Sequence, residues 1–545
     1  MASRQQTTIS NNTHHLISRV LEHKPRTTKK TKKQHKYRDT HIDKHTDTQP
    51  DTDTHTETHT ETHTDTHTDT NTHTYYNKTS IKKVVLNKAN YINKLIKLYY
   101  NNDNVVSNYV KTAPYKQHIF PQQNRVIVIG DIHGDFEVAI RCLVLAKCIE
   151  HIDIPHNKTV KKMNQFFKKL KWSGTNTYVV QLGDQIDRVR PQSWDNNDIS
   201  LDSAFDDEGS TLEIFYLFYH LNILASKHNG RVFSIIGNHE IMNVDGNFRY
   251  VSKKEFQCFK DHLKTVYNKK TYSNATLKTN GTYTSPSPSP SQSPSQSPSQ
   301  SPSQSQSPEK TLTHELTLSS SGLPNGYRER LHAFAPSGMC ANLMAMNYYT
   351  MLQIGDWLFC HGSPTLYVAK TFSIDMVNNI VSLYLLGINN TDTQLQTYYN
   401  NIIHAHPQLS SYNETSILWA RTFGEHIETE TNEQKLLIIL QDILNEYNKN
   451  NKSIMSNTNT SDNINTNTNT NTNALHIAIG HTPQFKKGIN SICNNRVWRC
   501  DIGMSKAFLS KHKKNNTNNN VFEHGDIQVL EINNGKPSIL SENVE

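Results

Sequence analysis

Five short apolar runs in this sequence share one pattern, because each leads into a glycine-containing turn with carboxylate, imidazole or amide side chains. The runs are residues 126–129, 178–182, 232–236, 357–360 and 476–479. The turns after them contain Asp131, His133, Asp184, Asn238, His239, His361 and His481. In open α/β sheets, ligand sites lie beyond the carboxyl ends of the strands, so we expect these turns to meet. Amphipathic stretches, including predicted helices at 138–149 and 212–224, alternate with the runs and indicate an α/β fold.

The side chains in these turns offer oxygen and imidazole nitrogen but no thiolate. That donor set suits Mn, Fe, Zn or Co better than a structural zinc cage. Two such ions about 3.5–4 Å apart can hold both the attacking and the leaving oxygen of a phosphoryl group. Taken singly, each turn has an ordinary explanation, such as a helix cap or a hydrogen-bonded core histidine. Five of them in order, each after an apolar run, predict a metal site instead.

Polar tracts interrupt the apolar runs. The chain has 545 residues, of which 34% are hydrophobic, below the roughly 45–50% typical of soluble domains. We predict one folded domain over residues 105–542, preceded by a disordered basic and Thr/His-rich tail over residues 1–80. Within the domain, we predict a Ser/Pro/Gln-rich insert at 271–307 and an Asn/Thr-rich insert at 450–473.

The net charge is +8 at pH 7, and much of the basic excess lies in the N-terminal tail. A basic arm can attract nucleic acid, but Tyr37 is the only aromatic residue of that cluster, so we expect no nucleic-acid partner. No apolar run reaches the ~20 residues needed to span a bilayer, so we expect no membrane partner. The seven cysteines form no Cys-x-x-Cys pair, which indicates reduced thiols and a cytoplasmic location. The N-terminus lacks an apolar signal region, while its basic, Ser/Thr-rich composition is also compatible with a transit peptide.

The motifs together resemble the calcineurin-like metallophosphoesterase superfamily. The Asp-x-x-Asp-Arg pattern at residues 184–188 is similar to the phosphoprotein phosphatase branch, whereas the related dinucleotide tetraphosphatases usually have lysine at the place of Arg188. Segments that resemble the Shewanella-like protein phosphatases in particular are 237–250, 417–421, 480–484 and 497–505. The resemblance implies a β-sandwich flanked by helices, with the site at the ends of the strands.

The resemblance also implies a ligand set for two divalent metal ions. Its members are Asp131 and His133 for the first ion, Asp184 as the bridge, and Asn238, His361 and His481 for the second ion. Asp184 brings the negative charge of a bridging carboxylate, and the neutral amide of Asn238 limits the total negative charge of the site. Water held between two divalent ions loses its proton near neutral pH and becomes a nucleophile toward phosphorus.

Four further residues are implied to act on the substrate. Arg188 and Arg421 would hold the phosphate, since guanidinium groups pair with phosphate oxygens through two parallel hydrogen bonds. His239 stands where the family has the general acid that protonates the leaving group. Asp187 would orient the ring of His239.

Two departures from the family pattern leave the substrate open. Val189 and Ser363 stand where many relatives have glycine, and both positions are expected to shape the rim of the site. The expected reaction is hydrolysis of a phosphate monoester on a phosphoprotein or phosphopeptide, with phosphotyrosine and phosphoserine/threonine both open. One rival is a nucleotide or dinucleotide-polyphosphate hydrolase, against which Arg188 argues. Another is a non-catalytic interaction protein, against which the complete set of metal ligands argues.

Overall fold

Two six-stranded sheets build the core of the described part of this protein. The structure is a computed structural model that describes residues 117–156, 158–191, 204–266, 323–387, 393–404, 416–425, 429–456, 473–508 and 526–542. All of these residues belong to one compact unit, Val85–Glu545. The predicted tail at 1–80 and the predicted insert at 271–307 lie outside the described residues, so both stay predictions.

The first sheet presents three parallel strand ends at one edge. Its strands are β2 (Arg125–Ile129), β3 (Tyr178–Gln181), β4 (Arg231–Ile235), β5 (Tyr348–Tyr349), β11 (Gln528–Asn533) and β12 (Lys536–Ser541). They are ordered β12-β11-β2-β3-β4-β5, and β2 to β5 run parallel. The register pairs Val128 with Val180 and Val180 with Phe233. The turns that follow β2, β3 and β4 therefore reach the same edge.

The second sheet also presents three parallel strand ends at one edge. Its members are β1 (Ile119–Phe120), β6 (Met351–Ile354), β7 (Trp357–Cys360), β8 (His476–Ile479), β9 (Asn490–Ile492) and β10 (Val497–Arg499). They are ordered β1-β6-β7-β8-β10-β9, with β7, β8 and β10 parallel. Trp357 pairs with His476, and Ile477 pairs with Val497. The turns after β7, β8 and β10 share an edge for the same reason.

The central strands are buried on both of their faces, whereas the edge strand β12 is largely exposed. Every residue of β6 and β7 is buried, and so is every residue of β2 except the first. Strands that are covered on both sides read as continuous apolar runs in the sequence, which is the pattern seen here. Residues of both sheets, such as Val128 and Phe359, belong to one apolar core together with residues of the flanking helices. This mixed architecture of two sheets flanked by helices confirms the expected fold class.

The helices lie between the strands in the chain. They are α1 (Phe136–Leu145), α2 (Val160–Lys169), α3 (Thr211–Ser226), α4 (Asn238–Val244), α5 (Lys253–Val266), α6 (Tyr327–Phe334), α7 (Met339–Asn347), α8 (Leu366–Thr371), α9 (Ile374–Leu385), α10 (Thr393–Ile403) and α11 (Glu430–Ser456). The carboxylate of Asp135 caps α1 by accepting a hydrogen bond from the Val138 backbone at 3.2 Å. Lys147, with a φ of 52°, lies beyond its end, so the predicted extension to residue 149 is wrong.

Two helix features bear on the sequence predictions. Helix α3 contains the predicted stretch 212–224 and is buried along almost its whole length. Helix α11 packs a leucine stripe that includes Leu440 and Leu444 into the interior. Its last turns cover residues 450–456, the start of the predicted Asn/Thr-rich insert, whereas residues 457–472 lie outside the described residues.

The described residues show whether any helix could span a membrane and in what state the cysteine thiols are. No helix among them is long and apolar enough to cross a membrane. All seven cysteines are free, and six of them are buried. Burial raises the pKa of thiols such as Cys360 and Cys142 above the usual value, which keeps them protonated and unreactive.

Candidate metal centre

The strand ends of the two sheets bring ligand atoms together in two groups of three. The first group is His133, Asp184 and His239, and the second group is Asp184, His361 and His481. Within each group the ligand atoms lie within 4.8 Å of one another, and every side chain is buried. Asp184 belongs to both groups, which is the position that a bridging ligand between two ions takes.

Three imidazoles converge on the Asp184 carboxylate. Its Oδ2 atom lies 3.4 Å from His361 Nε2, 3.8 Å from His239 Nε2 and 3.9 Å from His133 Nε2. Its Oδ1 atom accepts a hydrogen bond from the backbone nitrogen of His239 at 2.9 Å. Burial acts to raise the pKa of Asp184, but the three imidazoles lower it well below its usual value. This carboxylate is therefore ionised at neutral pH and can bind cations.

The backbone that presents Asp184 is held in an uncommon conformation. Asp184 has a φ of 50°, and Gly183 before it has a φ of 95°. The buried Glu240 carboxylate accepts backbone hydrogen bonds from Asp184 at 2.9 Å, Gln185 at 2.8 Å and Gly237 at 2.7 Å. A non-glycine residue in this region costs about 1–3 kcal/mol and persists only when its surroundings fix it. Glu240 supplies that support, and burial raises its pKa to about 7.

Asp131 and His133 follow β2 beside the first group. Asp131 Oδ2 lies 4.0 Å from His133 Nε2 and accepts a hydrogen bond from the His481 backbone nitrogen at 3.1 Å. Asp131 Oδ1 is buried without a hydrogen-bond partner among the described residues. Burial raises the pKa of Asp131 well above its usual value, and the carboxylates of Asp501 and Asp184 add to the shift. Buried carboxylates packed this closely need a compensating cation, so these residues fit a divalent metal ion.

The second group includes Asn238, at the start of α4. Asn238 Oδ1 lies 2.8 Å from His361 Nε2 and 2.8 Å from His481 Nδ1. His361 Nδ1 donates to the Leu182 carbonyl at 2.8 Å, so its Nε2 atom faces the cluster. Burial lowers the pKa of His481 well below its usual value, and a neutral imidazole is the form that binds metals. This donor set of oxygen and imidazole suits Mn, Fe, Zn or Co.

His239 is held by a buried carboxylate behind it. Its Nδ1 atom lies 2.8 Å from Asp187 Oδ2, and its Nε2 atom faces Asp184. The other Asp187 oxygen, Oδ1, accepts from Asn243 Nδ2 at 2.9 Å and from Arg330 Nη2 at 3.3 Å. The arrangement fixes the ring so that Nε2 can donate a proton or bind an ion. Its proposed role as the acid stays a prediction.

The two arginines predicted to hold phosphate lie in different surroundings. Arg421 is partly exposed, and its Nε atom donates to His481 Nε2 at 3.2 Å. The Arg188 side chain is fully buried, with Nη1 only 2.9 Å from Asp135 Oδ2. Its Nη2 atom donates to the carbonyls of Phe205 and Asp206, each at 3.3 Å. The structure thus brings Arg421 to the ligand cluster and gives Arg188 an interior ion pair.

Several residues that lie at the site were not assigned a role from the sequence. Asp501 follows β10, is buried, and has one carboxylate oxygen without a partner among the described residues. Burial raises the pKa of Asp501 to about 6. This carboxylate follows a sixth strand end, which the sequence shows only as the three-residue run at 497–499. The sequence carried no comparable signal for Arg330 or Glu240. Arg330 binds Asp187, which lies far away in the sequence, and Glu240 binds the backbone of Gly237 within its own turn.

Comparisons with known proteins agree with this geometry. A family model described as calcineurin-like phosphoesterase matches residues 124–289. Shewanella-like protein phosphatase 2 of Arabidopsis thaliana is 24% identical over 391 residues, which cover 71% of this chain and 73% of that protein. Shewanella-like protein phosphatase 1 of Plasmodium berghei is 33% identical over 136 residues, 25% of this chain and 27% of that protein.

A solved cold-active protein-tyrosine phosphatase of a psychrophile Shewanella sp. aligns with 78% of this chain and 82% of its own, at 14% identity and a TM-score of 0.39. A score of this size does not by itself establish a common fold. The assignment rests on the family model, on the sequence relatives and on the strand-end cluster of carboxylates, imidazoles and an amide. The resemblance stated from the motifs is confirmed: a calcineurin-like phosphoesterase family model matches residues 124–289, and Shewanella-like protein phosphatases are among the relatives of this chain. The chain is a metal-dependent phosphoesterase.

Proposed function

We propose that this phosphoesterase uses two divalent metal ions to hydrolyse phosphate monoesters on proteins. The observation that carries the proposal is the shared Asp184, which belongs to both buried groups of ligand atoms. The residues that would hold the ions are Asp131, His133 and Asp184 for the first, and Asp184, Asn238, His361 and His481 for the second. The unpartnered oxygen of Asp131 and the neutral imidazole of His481 support this division.

The side chains around the ions divide the remaining chemistry between them. Divalent ions in such a site act as Lewis acids toward a phosphoryl oxygen and lower the pKa of water. His239, anchored through Nδ1 on Asp187, would give the proton on Nε2 to the departing alkoxide or phenoxide. Arg421, beside His481, would pair with phosphoryl oxygens and stabilise the charge that spreads over them.

Phosphoproteins are the substrate class that fits this arrangement best. Two of the sequence relatives are named as Shewanella-like protein phosphatases. Arg188 stands where the related dinucleotide tetraphosphatases usually have lysine, which favours a phosphoprotein over a dinucleotide polyphosphate. Whether the phosphate is carried by tyrosine or by serine and threonine is decided by the experiment below.

The test compares kcat/KM for matched phosphotyrosine, phosphoserine and phosphothreonine peptides with kcat/KM for diadenosine tetraphosphate. We expect the best phosphopeptide to exceed the dinucleotide. A preference for the dinucleotide beyond about tenfold, near 1.4 kcal/mol of transition-state stabilisation, would contradict the protein-phosphatase proposal. Failure to turn over p-nitrophenyl phosphate with bound metal would favour the non-catalytic rival instead.

A further inference from the structure

Two phenylalanine rings continue the candidate metal centre toward the surface, on the side of its first group of ligand atoms. The centre of the Phe508 ring lies 5.4 Å from the centre of the His133 ring. The centre of the Phe485 ring lies 5.2 Å from the centre of the Phe508 ring. Phe508 is half-buried, whereas Phe485 is 42% exposed. An aromatic path therefore leads from His133 to the solvent.

The segment that carries Phe508 is fixed to the turn after β2. The Ser505 hydroxyl donates to the His133 carbonyl at 3.2 Å, and the Lys506 backbone nitrogen donates to Asp135 Oδ2 at 2.9 Å. The Phe508 nitrogen then donates to the Ser505 carbonyl at 3.1 Å. The turn that presents the ligand His133 thus also sets the position of the Phe508 backbone.

The Phe485 ring is held against the turn after β10. Gly503 has a φ of 67°, and a Cβ atom on Gly503 would collide with the Phe485 ring, so this position requires glycine. The Gly503 nitrogen donates to Asp501 Oδ1 at 2.9 Å, and the Gln484 nitrogen donates to the Asp501 carbonyl at 2.8 Å. An exposed ring that is positioned in this way loses little conformational freedom when it binds a ligand.

The candidate general acid lies on the same side of the site. The centres of the His133 and His239 rings are 4.9 Å apart, and the Tyr250 ring lies 4.7 Å from the His239 ring. A leaving group that takes a proton from His239 therefore departs next to His133. Along this part of the rim, Tyr250 contacts His239 and Phe508 contacts His133.

Tyrosine and serine phosphates place different groups beside the acid. The phenyl ring of phosphotyrosine is bonded directly to the ester oxygen, so it lies next to the side chains around the departing oxygen. Phosphoserine and phosphothreonine place a short carbon chain there, followed by the polar peptide backbone. Aromatic rings pack favourably against one another at centroid distances of about 4.5–7 Å. The surface of Phe508 and Phe485 therefore suits the aromatic leaving group better than the aliphatic ones.

We propose that Phe508 and Phe485 form a binding subsite for the phenyl ring of phosphotyrosine, an inference that narrows the substrate class of the proposed function and rests on it. Phe508 would contact the ring beside His133, and Phe485 would extend that contact toward the solvent. Both phenylalanines are then specificity-determining residues, which favour tyrosine over serine and threonine through binding.

The test is the affinity of the Mn²⁺-loaded protein for benzylphosphonate and for propylphosphonate, measured by titration calorimetry with metal content determined in parallel. In both compounds a carbon replaces the ester oxygen, so neither is hydrolysed. We expect the wild type to bind benzylphosphonate about tenfold more tightly. Phe485→Ala and Phe508→Ala should each weaken benzylphosphonate binding by about threefold or more, and should leave propylphosphonate binding within about twofold of the wild type.

Two further variants serve as controls. Phe485→Tyr keeps the ring and should bind benzylphosphonate within about twofold of the wild type. Ile539→Ala removes an apolar side chain of matched exposure, 41%, from the edge strand β12, and should change neither affinity by more than about twofold. If Phe508→Ala binds less metal, the result for Phe485→Ala decides the question.

Three results would overturn the inference. They are a wild type that binds benzylphosphonate no more tightly than propylphosphonate, an unchanged benzylphosphonate affinity in Phe485→Ala, and an equal loss for both compounds in that variant. The equal loss would assign Phe485 to a contact other than the phenyl ring. Because binding is measured without turnover, the outcome does not depend on catalysis. A wild type that shows the ring-dependent affinity but hydrolyses no monoester would contradict the proposed function alone.

Discussion

Replacement of Arg330 tests whether the buried network behind His239 stabilises the fold. Arg330 is fully buried, and its Nε atom donates to Asn243 Oδ1 at 2.7 Å. Its Nη1 atom donates to Thr211 Oγ1 at 3.2 Å, and its Nη2 atom donates to Asp187 Oδ1 at 3.3 Å. Arg330→Met would keep much of the side-chain volume and remove every one of these hydrogen bonds.

The expected cost follows from the burial of both partners. The side chains of Arg330 and Asp187 are each 0% exposed, so the substitution leaves an interior carboxylate without its cation. Removal of one partner from such a pair typically destabilises a protein by about 3–5 kcal/mol. The methionine packs among the phenylalanine rings that surround the guanidinium, such as Phe334 at 5.0 Å, and offsets part of the lost contact. We therefore expect a loss of about 3 kcal/mol or more in the free energy of unfolding.

The assay is urea unfolding of the metal-free protein, so that loss of ions does not contribute to the difference. Arg328→Met is the matched control, because Arg328 is exposed and lies on the same helix, α6. We expect the control to change stability by no more than about 0.5 kcal/mol. A loss below about 1 kcal/mol in Arg330→Met would refute the reasoning, since it would mean that the pair with Asp187 is not needed.

Two further predictions concern a proton donor and a pH effect. His239→Asn should bind metal as the wild type does and should slow the hydrolysis of alkyl phosphates by about 10²–10⁴-fold. The defect should be smaller for aryl phosphates, because their leaving groups need less protonation. An equal defect for both substrates would remove His239 from the acid role, and a loss of bound metal would make it a ligand. Burial raises the pKa of Glu213 to about 7, so the wild type loses stability as pH rises from the unfolded value of 4.5 toward 7. Glu213→Gln lacks this loss and should gain up to about 3 kcal/mol relative to the wild type at pH 8 but not at pH 4, and a difference that is the same at both pH values would contradict this account.

The positions of the metal-type side chains were predictable because parallel strand pairing brings the ends of the strands together. Five apolar runs ended in turns with carboxylate, imidazole or amide groups, and parallel pairing of β2 with β3 and β7 with β8 brings those turns to shared edges. The side chain of Arg188 was not predictable from its motif. Its direction depends on Asp135, which lies 53 positions earlier, and on Glu255, which binds its backbone from α5.

The same limit applies to the network behind His239. Arg330 binds Asp187 although the two are 143 positions apart in the sequence, and the helix that carries Arg330 follows the predicted Ser/Pro/Gln-rich insert in the chain. Sequence periodicity identifies the faces of helices that are buried, but it does not identify which buried polar group meets which. Long-range pairs of this kind require the folded structure.

The metal content of the purified protein, compared with that of Asp184→Asn, tests the central claim most directly. Asp184 is the one residue that belongs to both groups of ligand atoms in the described part of the chain. We expect the wild type to bind two divalent ions per chain, and we expect Asp184→Asn to lose bound metal together with p-nitrophenyl phosphate turnover. An Asp184→Asn protein that retains two ions and full activity would contradict the account.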